Sequence, residues 1–161
     1  MRIGVLNGPN LDRLGTRDPA HYGHLTLPQI EAMLRERAAE RGVTIEFFQA
    51  NHEGALVERI AVRAAEVDGW LVNAAALTHT SIALRDALEA AGRPFVELHL
   101  SNVFAREAFR HRSMLADRAI GVIAGFRARS YALALDALVA HLCGELGTAE
   151  EGSGTSVAPT G

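Results

Sequence analysis

The amino-acid sequence predicts an α/β protein, a three-layer sandwich built around a five-stranded parallel sheet. Three observations carry this. Five short apolar runs, at residues 2–6, 43–48, 70–72, 95–98 and 119–124, alternate with stretches of helical period. The runs are apolar almost throughout, as strands covered by helices on both faces are. Helix punctuation falls between them at Gly42, Asp68-Gly69 and Gly92. Such alternation closes through right-handed crossovers into a doubly wound sheet, and the order expected is 2-1-3-4-5, the flavodoxin-like arrangement.

Each helix has its own signal. Thr26-Leu27-Pro28-Gln29 reads as a capping box with a proline in the first turn, and Ile30, Met33/Leu34 and Ala38 keep helical spacing until Gly42. A second helix opens at Asn51-His52-Glu53-Gly54 and carries Leu56, Ile60, Ala64 and Val67 on one face up to Asp68-Gly69. The third runs from about Ser81 to Gly92, with Pro94 beyond it, and the last from about Ser130 to Leu146. Residues 1–146 are therefore expected to form a single catalytic domain, and residues 147–161, rich in small and polar residues, a flexible C-terminal tail.

Composition excludes several chemistries. The chain has 161 residues and a net charge of −3, and all sixteen of its basic residues are arginine. Without lysine there is no lysine Schiff base, no P-loop lysine and no kinase-type strand lysine. The acidic balance argues against a nucleic-acid partner. No run is long enough to span a bilayer or to serve as a signal-peptide core, so a cytoplasmic protein with no membrane association is expected. The lone Cys143 lies in an apolar helical pattern and reads as a buried structural thiol. The seven histidines include no His-Glu-x-x-His pattern, so no metal site is expected.

The chemistry concentrates where strands 1, 3 and 4 end. In this topology ligands sit beyond the carboxyl ends of the strands, near the switch point between strands 1 and 3. Asn7 and Asn10 lie at the first exit, Asn73 and His79 after strand 3, and His99, Ser101 and Asn102 after strand 4. The first strand empties into a long loop broken by Gly8, Pro9, Gly15, Pro19 and Gly23, a composition suited to a lid. Arg17 and Tyr22 share that loop. A free phenol has a pKa of about 10, and a neighbouring guanidinium favours the phenolate, so Tyr22 is a candidate base. Arg17 paired with Asp18 and a merely packed Tyr22 is the alternative.

Glu97-Leu98-His99 alternates, which puts the carboxylate and the imidazole on one face of strand 4; a surface ion pair is the other reading. Thr78-His79-Thr80-Ser81 reads as a capping turn with His79 toward the cleft. Taken alone, Asp86 reads as part of a solvated helix face, and so does the basic run from Arg106 through Arg110 to Arg112.

Together these residues resemble a known family. Asn7-Gly8-Pro9-Asn10-Leu11 with Arg17, Tyr22-Gly23, Gln49-Ala50-Asn51-His52-Glu53-Gly54, Thr78-His79-Thr80-Ser81 with Arg85-Asp86, and Glu97-Leu98-His99-Leu100-Ser101-Asn102 leading to Arg110 are similar, in order and spacing, to type II 3-dehydroquinate dehydratase. The resemblance covers roughly residues 3–142. It implies dehydration of 3-dehydroquinate to 3-dehydroshikimate through an enolate, without a cofactor, by trimers packed into a homo-dodecamer.

By position, Tyr22 would be the base, Arg17 its activator, Asn73 the enolate donor, His99 the acid and Glu97 its orienting partner. Asn10, His79, Arg110 and the backbone of Leu100 and Ser101 would bind substrate, and Asp86 would reach a neighbouring subunit's site. Two departures stand out: Ala74-Ala75-Ala76 follows Asn73 where the family has a Pro-Gly type of turn, and Arg127 and Ser130 stand at usual glycine positions. They leave a catalytically impaired homologue, acting as a binding or assembly module, as the alternative. A signalling receiver is disfavoured because strands 1 and 3 end in asparagine rather than aspartate and lysine is absent.

Overall fold

The computed structural model describes residues 1–16 and 24–145. The expected tail, 147–161, and the lid residues Arg17 and Tyr22 lie outside the described residues. Strands β1 (Arg2–Asn7), β2 (Thr44–Gln49), β3 (Gly69–Asn73), β4 (Phe95–His99) and β5 (Gly121–Ala124) alternate with helices α1 (Leu27–Glu40), α2 (Glu53–Arg63), α3 (Ile82–Ala91) and α4 (Arg129–Leu142). All pairings are parallel and the order is β2-β1-β3-β4-β5, as the alternation predicts.

Side-chain alternation along the strands splits the core in two. Ile3, Val5, Leu71, Val96 and Leu98 face α1 and α4, while Leu6, Trp70, Val72 and Phe95 face α2 and α3. Each central strand is therefore covered twice, which is why its sequence is a continuous apolar run. The anticipated capping box is formed: Thr26 N–H donates to Gln29 Oε1 at 2.9 Å, and Gln29 N–H to Thr26 Oγ1 at 3.4 Å.

Two helix ends differ from expectation. Helix α2 stops at Arg63 rather than near residue 68, because Asp68 is committed to β1: Arg2 N–H donates to its carboxylate at 2.7 Å, and its own N–H donates to Arg2 O at 2.8 Å. Helix α4 ends at Leu142, with Gly144 in the left-handed region at φ 75°. Cys143 consequently caps the helix in solvent and is exposed, not a buried thiol.

Register then places the polar residues. Asn7 of β1 lies directly opposite Asn73 of β3, and Gln49 of β2 opposite Asn7 on the other side. The exits of β1 and β3 approach so closely that a Cβ on Gly8 would stand 2.3 Å from the Ala74 carbonyl oxygen. Backbone on both sides cannot yield. The long connection from β4 to β5 is stapled to α3, since Arg85 donates to Met114 O at 2.6 Å and pairs with the Asp117 carboxylate, and Met114 N–H donates to Thr78 O at 2.8 Å.

Gly8→Ala should lower stability by about 1–3 kcal/mol through overpacking, read as a shift in the urea midpoint; an unchanged midpoint would show that the two strand exits separate freely. The Arg85 staple should also have an acid signature. Hydrogen bonding from Arg85 lowers the Asp117 pKa to about 2. Its contribution is thus complete above the ordinary aspartate value of about 3.9 and disappears as pH falls toward 2. Asp117→Asn should flatten the pH dependence of the thermal midpoint in that window, whereas an unchanged slope would rule the staple out.

Candidate active site

A cavity of about 210 Å³ opens at the carboxyl edge of the sheet, over the ends of β1, β3 and β4. Seven of the expected site residues line it: Asn10, Asn73, His79, His99, Leu100, Ser101 and Arg110. Arg106, read from sequence as part of a solvated face, lines it too. Glu97 lies behind His99, and Asp86 stands exposed on α3, outside the lining of its own chain's cavity.

The deepest charge is the Glu97 carboxylate, which is 1 % exposed. His99 Nε2 lies 2.7 Å from its Oε1. Ser113 Oγ lies 2.7 Å from Oε2. The direction of the serine bond follows from its other partners, because the hydroxyl already accepts from the N–H groups of Leu115 and Ala116 at 2.9 and 3.0 Å. Its only proton therefore points at Glu97, whose Oε2 must accept. The carboxylate is held from both sides, with His99 donating through Nε2.

The second imidazole has a different anchor. His79 Nδ1 lies 2.8 Å from the Arg112 carbonyl, which can only accept, so Nδ1 carries a proton. The His79 and His99 rings stack with centroids 6.4 Å apart and planes 14° from parallel. Two rings thus share one wall of the cleft, each oriented by a separate acceptor. Arg110 is steered by Glu107, 2.9 Å from its Nε. Two arginines and two histidines make this a cleft suited to a small carboxylate bearing hydroxyl groups.

Asn10 takes the left-handed conformation, φ 64°, and its backbone N–H donates to Asn51 Oδ1 at 2.8 Å. Gln49 completes the brace by donating from Nε2 to the same oxygen at 3.1 Å and to Gly8 O at 3.3 Å. Asn73 reaches further inward. Its Nδ2 donates to the Tyr131 hydroxyl at 2.9 Å, and that hydroxyl donates to Asn7 Oδ1 at 2.6 Å. Burial holds the Tyr131 phenol well above its ordinary pKa, against the pull of its bond from Asn73, so it stays protonated.

Ser113 and Tyr131 are the residues that sequence reasoning missed. Ser113 sits in a loop with no motif of its own, and Tyr131 lies within an apolar helical stripe that reads as core. The two departures from the family pattern now have a backbone meaning, since Ala75 has φ 52° and Arg127 φ 51°. Left-handed geometry costs a residue with a Cβ about 1–2 kcal/mol, which glycine avoids.

Comparison with known proteins agrees with this geometry. The family model for dehydroquinase class II matches residues 1–139. A 3-dehydroquinate dehydratase of Synechococcus sp. (strain WH7803) is 60 % identical over 144 residues, covering 89 % of this chain and 98 % of that protein. The chain belongs to the class II dehydroquinase family. Solved class II dehydroquinase structures carry the same fold. The type II dehydroquinase from Butyrivibrio crossotus superposes with a TM-score of 0.83 at 38 % identity, over 86 % of this chain and 97 % of its own. That from Propionibacterium acnes gives 0.82 at 40 %, over 86 % and 95 %.

Two outcomes are expected from the site itself. Ala75→Gly should stabilise by up to about 1 kcal/mol, the relief of left-handed strain less glycine's backbone entropy; a fall in thermal midpoint would contradict it. Ser113→Ala should lower stability by about 1.5–3 kcal/mol, the range for a hydrogen bond to a charged group, while Ser113→Thr, which keeps the hydroxyl, should recover most of it in the same denaturant titration.

Proposed function

We propose that the protein dehydrates 3-dehydroquinate to 3-dehydroshikimate by anti elimination through an enolate, serving the shikimate route to aromatic amino acids or quinate breakdown. The observation that carries this reading is the convergence of Asn73, His99 with its buried Glu97, and Arg110 on one cleft, in a chain 60 % identical to a protein named for that activity. A buried carboxylate bonded to Nε2 holds the His99 ring in place at the cleft. Nothing about the cleft favours a merely structural module.

Water leaves from the carbon β to a ketone, so three groups are needed. Tyr22, with Arg17 lowering its pKa, takes the α proton. Asn73 donates to the developing enolate oxygen. His99, oriented by Glu97, gives a proton to the departing hydroxyl. Backbone N–H groups of Leu100 and Ser101 receive the substrate carboxylate, His79, Asn10 and Arg110 receive ring hydroxyls, and Asp86 serves a neighbouring subunit's site. Since the chain has no lysine, elimination through an imine on a lysine side chain is unavailable.

Assembly into trimers and then a dodecamer fits the surface around β5. Phe104, Val122, Phe126 and Leu133 are exposed and border a second cavity of about 590 Å³, an apolar surface that contact with another subunit would cover. None of the described helices is long and apolar enough to cross a membrane, in keeping with a cytoplasmic enzyme.

Absorbance of the conjugated enone product tests the activity directly. Tyr22→Phe should abolish turnover in a protein that still folds and binds substrate, and Arg17→Ala should lower it severely; wild-type-like turnover in Tyr22→Phe would end the assignment of the base. Borohydride with substrate should leave the enzyme active, and a stable adduct would overturn the enolate route.

A further inference from the structure

Asn73 sits at the end of β3 and is 3 % exposed, and a primary amide has two nearly equivalent orientations about its last side-chain torsion. Which of them is adopted decides whether the amide offers the cleft an N–H or its carbonyl oxygen. The carbonyl of the other orientation would repel a developing enolate oxygen, so a donor that flips is no donor for half its time. Some neighbour must choose.

The strand register brings Asn7 and Asn73 side by side, and the side chain that reaches both comes from the opposite layer. Tyr131, 0 % exposed in the first turn of α4, inserts its hydroxyl between the two amides. A phenol has one proton to give. That proton goes to Asn7 Oδ1 at 2.6 Å, which leaves the phenol oxygen to accept, and it does so from Asn73 Nδ2 at 2.9 Å. Among the described residues Asn7 Nδ2 has no hydrogen-bond partner, and the phenol is the one that bonds to the Asn7 side chain.

We propose that Tyr131 is a positioning residue for the dehydration: by accepting one Nδ2–H of Asn73 and anchoring its own proton on Asn7, it locks the amide with its second N–H directed to the enolate oxygen. This rests on the reading of Asn73 as enolate donor. Tyr131 touches no reacting atom, and it acts only through Asn73. Helix α4 is thereby coupled to a group it never approaches through the cleft.

A double-mutant cycle separates this from simple packing. Tyr131→Phe keeps the ring and removes only the bond that selects the amide orientation. It should lower kcat on the order of tenfold or more, a part of the loss seen when an oxyanion donor is removed outright, with KM little changed. In an Asn73→Ala background the same substitution should cost nothing further, since there is no amide left to orient. Equal losses in both backgrounds, or full kcat with only a lower thermal midpoint, would overturn the proposal. Should Tyr131→Phe fail to fold, Asn7→Ala carries the same test by removing the acceptor that anchors the phenol: a kcat loss that vanishes with Asn73→Ala supports the lock, and full kcat overturns it. If the wild-type protein fails to convert 3-dehydroquinate, the functional reading falls separately. The crystal structure of Tyr131→Phe then decides the lock, supported by an Asn73 amide rotated or split between two orientations and overturned by one left unmoved.

Discussion

A carboxylate closed off from water inside an apolar layer is the constraint around which the functional edge of this protein is built. Glu97 occupies a strand position that would otherwise be filled by an aliphatic side chain, and its charge is tolerable only because both oxygens are engaged. One partner comes from its own strand two residues on, the other from the loop that returns to β5. That second requirement explains why the loop is tied down: Ser113 must be presented at hydrogen-bonding distance, so Arg85 and Thr78 hold the backbone of Met114 immediately after it. The same loop supplies the Arg112 carbonyl that orients His79. Burying one charge thus orders both imidazoles.

The sheet's switch point supplies the other half of the site. Parallel strands β1 and β3 end level with one another, which puts two asparagines abreast and leaves no room for a side chain on Gly8. Their amides are buried, and Tyr131 of α4 bonds to both. Polar groups buried this way are satisfied by one another or not at all. The result is a rigid floor beneath a cleft whose walls come from loops.

Those loops are where this chain departs from its family's habits. Ala75 and Arg127 adopt backbone angles that favour glycine, one beside Asn73 and the other next to the exit of β5. Surrounding structure imposes the angles, for the turn after β3 must clear Gly8 and the turn after β5 must bring Arg127 N–H within 2.8 Å of Leu100 O. The strain is local, and the side chains that line the cleft keep their partners despite it.

Much of the architecture could be read from the sequence because its determinants are short-ranged. Alternating apolar runs and helical stripes specify the layers, Thr26 and Gln29 specify a helix start, and the spacing of Glu97 and His99 puts both on one face of a strand. Family blocks located the cleft residues for the same reason: apart from Arg110, each follows closely on a strand end. What only the tertiary structure decided are bonds between distant parts of the chain. Tyr131 meets Asn7 from 124 positions away and Ser113 meets Glu97 from 16, and neither serine nor a tyrosine in an apolar stripe announces a polar duty. The early end of α2 and the exposure of Cys143 belong with them, since each depends on a contact or a turn made elsewhere in the fold. Local patterns state which face a residue occupies; which polar atom waits there is settled only when the layers close.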